Sequence, residues 1–141
     1  MNTKKQGAVK LPVPLEQHEQ AALFEWAEYQ KGKYPELELM YASANGGKRH
    51  IKTAVELKRT GVKSGVPDIC LPVSRAGYHA LYIELKRRKG GRLSENQKWW
   101  LERLIKQGNL AMVCHGWEDA RDLIVDYLNS ATWKEAPLPL I

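Results

Sequence analysis

Cysteine is scarce in this chain, and metal-ligating pairs of cysteine or histidine are missing. Two of the 141 residues are cysteines, Cys70 and Cys114. Both fall in apolar stretches that read as strands, so they are expected to be reduced core residues of a cytosolic protein. The histidines His18, His50, His79 and His115 are scattered, with neither Cys-x-x-Cys nor His-x-x-x-His spacing, which argues against a zinc site. No apolar run approaches ~20 residues, so a membrane-spanning helix is excluded. The first lysines lack the apolar core of a secretory signal behind them. Neither a phosphate-cradling Gly-x-x-x-x-Gly-Lys nor a serine nucleophile elbow is present. Acid is also scarce in one window. Residues 61–92 hold seven Lys/Arg against two acids, Asp68 and Glu84, so +5 of the net +6 charge is concentrated there.

What is present describes one ordinary globular domain, with 43% hydrophobic and 27% charged residues. Residues 1–14, ending Leu-Pro-Val-Pro, read as a flexible arm, 15–130 as the folded domain, and the proline-containing 131–141 as a tail. Apolar residues at helical spacing predict a helix over 15–30, and Leu37–Ala42 reads as a strand. The glycine-rich basic loop Asn45–Arg49 leads to a short helix stopped by Gly61. Val66–Val73 and Tyr78–Lys86 read as strands joined by a turn at Ser74–Gly77. Ser94-Glu-Asn-Gln97 is a capping box opening a helix to about Gln107. A strand at Leu110–Cys114 and a helix from Trp117 to about Asn129 complete the order αβαββαβα, an α/β fold with a mixed sheet flanked by helices.

Two short motifs carry the chemistry: Pro67-Asp68, and sixteen residues later Glu84-Leu85-Lys86. Side chains alternate along a strand, so Glu84 and Lys86 share one face, roughly 7 Å apart, and Leu81, Ile83 and Leu85 line the other. A carboxylate that holds a divalent cation beside a lysine that touches water or phosphate is what metal-dependent phosphodiester cleavage requires. Each piece alone also fits a turn acid and a same-face ion pair. Their order on consecutive strands favours the site. The cationic surroundings suit a polyanion held around a small acidic centre.

A further acid is expected on the first helix, which offers Glu16, Glu19, Glu25 and Glu28. Taking roughly 100° per residue, Leu15 at about 0°, Ala22 near ~340° and Trp26 near ~20° define an apolar stripe. Glu19, at about 40° on the same wheel, lies inside it, and a shared metal would compensate a carboxylate there. Two roles stand open for Gln97, as the last residue of the capping box or as a group pointing at the sheet. Trp99 points off the core face, toward a protein or nucleic-acid partner.

These residues resemble the VRR-NUC domain of the PD-(D/E)xK nuclease superfamily, which has the restriction-endonuclease-like core. The stretches that carry the resemblance are Gly61–Cys70, Tyr82-Ile-Glu-Leu-Lys86 and Gln97-Lys-Trp-Trp100. Glu19-Gln20 resembles the family's N-terminal acid, and Asn45–Arg49 resembles the loop of its stand-alone, virus-type members. The resemblance covers residues 15 to 128. It implies an Mg²⁺- or Mn²⁺-dependent endodeoxyribonuclease, with metal on Glu19, Asp68 and Glu84, water or phosphate contact at Lys86, and support from Gln97. It also implies a homodimer acting on branched DNA such as four-way (Holliday) junctions, in the cytoplasm of a bacterial or phage-infected cell. The basic residues expected to track DNA are Lys48, Arg49, Lys63, Arg87, Arg88, Lys89 and Arg92. Trp133, Leu138, Leu140 and Ile141 in the tail suit a dimer arm. Two rivals remain open: a DNA-binding module without catalysis, and an RNA-processing nuclease.

Overall fold

A computed structural model describes residues 11–43 and 51–131, and of residues 51–53 the backbone alone. The loop Asn45–Arg49, with Lys48 and Arg49, lies outside the described residues, as do residues 1–10 of the arm and 132–141 of the tail. The elements are α1 (Glu16–Gln30), β1 (Tyr41–Ala42), α2 (Ile51–Arg59), β2 (Ile69–Leu71), β3 (Leu81–Lys86), α3 (Glu95–Lys106), β4 (Leu110–His115) and α4 (Trp117–Leu128). Their order is the one the sequence predicts. The strands form one sheet in the order β1-β2-β3-β4, antiparallel except for the parallel β3–β4 pair. Among the described residues no helix is long and apolar enough to cross a membrane.

The expected strand over 37–42 is mostly a different element. Pro35–Leu39 forms a 3-10 turn, and only Tyr41–Ala42 pairs in the sheet. At three residues per turn, Leu37 and Met40 face the core together, while Leu39 is left out at 55% exposure. Alternation of leucines suits a strand, but the proline at the start and the three-residue spacing of the buried side chains favour the tighter coil. The strand expected over 66–73 is likewise trimmed to Ile69–Leu71, with the neighbouring residues outside the ladder.

β2 and β3 are joined through a two-residue turn in which Ala76 and Gly77 both have positive φ, with Arg75 and Tyr78 bridged across it. Such a primed turn matches strand twist and sets the register. β3, between β2 and β4, is buried almost throughout. Leu81, Ile83 and Leu85 pack with Leu23 and Ala27 of α1 and Ala120, Ile124 and Tyr127 of α4 in one core cluster. Glu84 and Lys86 point to the opposite face, where Gln97 of α3 meets them. Cys70 and Cys114 are buried free thiols.

Candidate active site

The capping box of α3 builds half of the site. Ser94 Oγ accepts the Gln97 N–H at 3.1 Å, and Gln97 Oε1 accepts the Ser94 N–H at 2.9 Å. The same amide reaches the sheet. Its Nε2 donates to Glu84 Oε1 at 2.8 Å, and its Oε1 accepts from Lys86 Nζ at 3.1 Å. Both roles left open for Gln97 are thus filled by one side chain. Lys86 Nζ lies 3.8 Å from Glu84 Oε1, closer than strand rise alone suggests, because both side chains converge on Gln97. Both are buried.

Asp68 builds the other half. It immediately precedes β2, and its carbonyl accepts the Ser43 N–H at 2.8 Å. Its carboxylate Oδ2 accepts the Leu85 N–H at 2.8 Å, occupying a backbone donor of β3 just where β2 stops supplying ladder partners. The pairing of Ile69 with Ile83, extended by one residue, sets Asp68 opposite Glu84. Two like charges opposite one another in a sheet repel. The Glu84 carboxyl is pushed up to about 8 by burial, by the Asp68 charge and by a hydrogen bond shared with Asp68, against the pull of Lys86; Glu16 adds to the rise. Asp68 is also raised by burial, opposed by the Leu85 N–H, the Glu84 hydrogen bond and Lys86. Burial and the neighbouring carboxylate thus favour a protonated Glu84 beside Asp68. Apart from that contact with Asp68, the buried Glu84 Oε2 has no hydrogen-bond partner among the described residues.

A cleft of about 900 Å³ opens beside this pair, lined by Glu16, Gln20 and Phe24 of α1 together with Asp68, Glu84 and Gln97. Glu19 does not line it. Its Oε1 accepts from Arg88 Nε at 2.9 Å, and its Oε2 accepts the Trp117 N–H at 2.7 Å. Burial would raise the Glu19 carboxyl, but the Arg88 hydrogen bond, the Trp117 N–H and the Arg88 charge outweigh it and hold it below its usual range. The carboxylate caps α4, whose own N-cap, Gly116, has no side chain to offer. A Cβ on Gly116 would lie 3.0 Å from Arg88 Cγ, at a φ of +86 that suits glycine.

The model of the VRR-NUC domain matches residues 11–118. The chain belongs to the VRR-NUC family. A solved structure described as a VRR_NUC domain protein is similar at 29% identity and a TM-score of 0.75, over 86% of this chain and 94% of that one. No curated protein matches the chain. A VRR-NUC domain is a nuclease-type domain, of a family generally dependent on a divalent metal.

Within this VRR-NUC domain the structure brings together four of the five residues singled out for catalysis: Asp68, Glu84, Lys86 and Gln97. The fifth, Glu19, belongs to the α1–α4 packing, and the acid that faces the cleft is Glu16, one turn earlier. The expected stripe on α1 is rotated. Glu19, Leu23 and Ala27 form the buried face, whereas Leu15 and Tyr29 are 47% and 81% exposed. With Leu15 outside the stripe, Glu16 turns toward the strand ends and Glu19 under α4. Gln20, also in the cleft, gave no signal beyond its place beside Glu19 in the resemblance.

The basic residues divide in the same way. Arg87 donates to the Val13 and Pro14 carbonyls, and Arg88 pairs with both Glu19 and Glu118. Lys63, Lys89 and Arg92 are exposed. Trp99 is 51% exposed, as expected, edge-on to Trp100 and beneath the Arg103 guanidinium. Trp100 Nε1 donates to the Ser64 carbonyl at 3.1 Å, so α3 docks on the loop before Asp68. Gly65 permits that contact, since a Cβ there would lie 2.7 Å from the Asn96 backbone.

Proposed function

We propose that this protein is a divalent-metal-dependent DNA endonuclease that hydrolyses phosphodiester bonds at Asp68, Glu84, Lys86 and Gln97. The observation that carries the reading is the half-buried Asp68 set opposite the buried Glu84, with no donor to Glu84 Oε2 among the described residues. Two opposed carboxyl groups, one with a buried oxygen that no described group donates to, fit a hard cation with oxygen ligands. Among the described residues no three His, Cys, Asp or Glu side chains cluster tightly enough to hold a metal without other ligands. Mg²⁺ or Mn²⁺ held by the two acids would keep waters and take substrate oxygens.

Asp68 and Glu84 would hold the cation, with Glu16 rather than Glu19 as the acid that faces it from α1. Bound there, the ion supplies Lewis-acid polarisation of the phosphodiester and lowers the pKa of water. The chain's own groups do the rest. The Leu85 N–H fixes Asp68. Gln97 aims Glu84 and Lys86 at one point through its two ends. Lys86 brings a positive charge to the attacking water or to the developing phosphate charge.

Selectivity for branched DNA such as four-way junctions, exercised by a homodimer, is the finer reading, and it rests on the likeness to stand-alone virus-type members. Two opposed cuts need two sites, and one small domain carries one. The deciding experiment is cleavage of single-stranded, duplex, flap and four-way junction DNA with Mg²⁺, with Mn²⁺ and with EDTA, alongside light scattering. Metal-dependent cleavage, strongest on the junction and by a dimer, is the expected result. Cleavage undiminished by EDTA overturns the metal reading. Equal rates on duplex and junction overturn the selectivity.

A further inference from the structure

Two buried side-chain atoms lack a hydrogen-bond partner among the described residues, and they flank the same acid. One is Glu84 Oε2; the other is Ser43 Oγ. The β1–β2 register pairs Tyr41 with Cys70 and Ala42 with Ile69, and the Ser43 N–H to Asp68 carbonyl bond at 2.8 Å carries it one residue further. Ser43 thus stands beside Asp68 on the β1 side, as Glu84 does on the β3 side.

A buried hydroxyl both donates and accepts, and leaving it without either is costly enough that native proteins rarely do so. Among the described residues, the Leu85 N–H is committed to Asp68, and Gln97 to Glu84, Lys86 and Ser94. No described residue partners the Ser43 hydroxyl, which leaves it open to a donor from outside the chain. A cation held by Asp68 and Glu84 would bring one, because Mg²⁺ gives up its waters reluctantly and those waters are donors in search of acceptors. Neutral acceptors next to a metal's ligands commonly fix such waters and tune affinity.

We propose that Ser43 is a positioning residue of this site, its hydroxyl accepting a hydrogen bond from a water of the divalent cation that Asp68 and Glu84 hold. The inference rests on the divalent-metal reading above and adds to it a residue from β1 that no sequence motif marks.

The test is a thermal-denaturation titration of the full chain with MnCl₂ and MgCl₂ in the absence of DNA, for wild type, Ser43→Ala, Ser43→Cys and Asp68→Asn. Wild type is expected to show a saturable rise in Tm, and Asp68→Asn none. Ser43→Ala and Ser43→Cys should need about tenfold more cation for the half-maximal rise, with metal-free Tm near wild type. Cysteine keeps the shape of serine but is a weak acceptor, so it separates lost hydrogen bonding from lost packing. Half-saturation equal to wild type in both variants overturns the inference alone. So does a Ser43→Cys protein that binds like wild type while Ser43→Ala does not, since that assigns Ser43 to packing. A wild type that ignores both cations, and so matches Asp68→Asn, overturns the metal reading and this inference with it.

Discussion

Gln97 Nε2 lies 2.8 Å from Glu84 Oε1, while the other end of the same amide accepts from Ser94 N–H and Lys86 Nζ. A helix cap and a contact within the candidate site thus share one side chain, and substitution separates them. Gln97→Glu keeps an acceptor for Ser94 and Lys86 but loses the donor to Glu84 and adds a negative charge beside the two acids. It should keep Tm near wild type and lower cleavage at least tenfold. Ser94→Ala removes the cap alone and should cost about 1 kcal/mol of stability with cleavage largely retained. Denaturant melts and cleavage rates on both variants check this; a Gln97→Glu protein with normal rate would leave the amide only its capping role.

The raised Glu84 carboxyl makes a statement about stability. Its pKa in the folded state is about 8, against 4.5 for the ordinary value. Folding therefore favours its protonated form, and the associated stability is fully present below pH 4.5 and lost as pH rises through 8. In EDTA, Tm should fall between pH 5 and pH 8. Glu84→Gln, which cannot ionise, should flatten that fall and melt higher than wild type at pH 8, by roughly 2–4 °C for each kcal/mol relieved. Added Mn²⁺ should raise the wild-type Tm more at pH 8 than at pH 6. A wild-type Tm that rises from pH 5 to 8 in EDTA, with Glu84→Gln no more stable, would contradict the pairing of Asp68 with a buried, protonated Glu84.

Much of this site could be read from the sequence because its pieces are local. Alternation along Leu81–Lys86 and the Ser94–Gln97 capping box each lie within a few residues, and both appear as expected. What could not be read depends on partners far along the chain. Glu19 looks like a metal ligand by its burial, but the cation that compensates it is Arg88, 69 residues away. Which acid of α1 meets the cleft is set by the face that packs under α4, where Glu19 meets Arg88 and the Trp117 N–H, and a helical wheel contains no such information. The 3-10 turn at Pro35–Leu39 was hidden for a related reason. Leu37 and Leu39 alternate as in a strand, and only the buried position of Met40 reveals the three-residue period.

Glu16 and Glu19 should therefore behave oppositely. Glu16→Gln removes a charge from the cleft and should lower cleavage at least tenfold while Tm stays near wild type. Glu19→Gln leaves Arg88 without its buried partner and weakens the cap on α4, so it should lower Tm by several degrees and affect cleavage less. Parallel Tm and rate measurements on the two variants decide the assignment. A stable, inactive Glu19→Gln with a fully active Glu16→Gln would return the third acid to Glu19.

The basic run that follows β3 makes the last prediction, because its members are not equivalent. Neutralising a phosphate releases counterions, so each arginine or lysine that touches DNA adds close to one to the slope of log K against log salt. Arg87 is held by the Val13 and Pro14 carbonyls, and Arg88 by Glu19 and Glu118. Lys89 and Arg92 are exposed. Lys89→Ala with Arg92→Ala should thus flatten the slope by about 2 with Tm unchanged. Arg88→Ala should lower Tm with little effect on the slope. Binding titrations from low to high salt, in EDTA so that no DNA is cut, measure both. A double variant with the wild-type slope would move the DNA track off this run, toward Lys63 or the loop carrying Lys48 and Arg49.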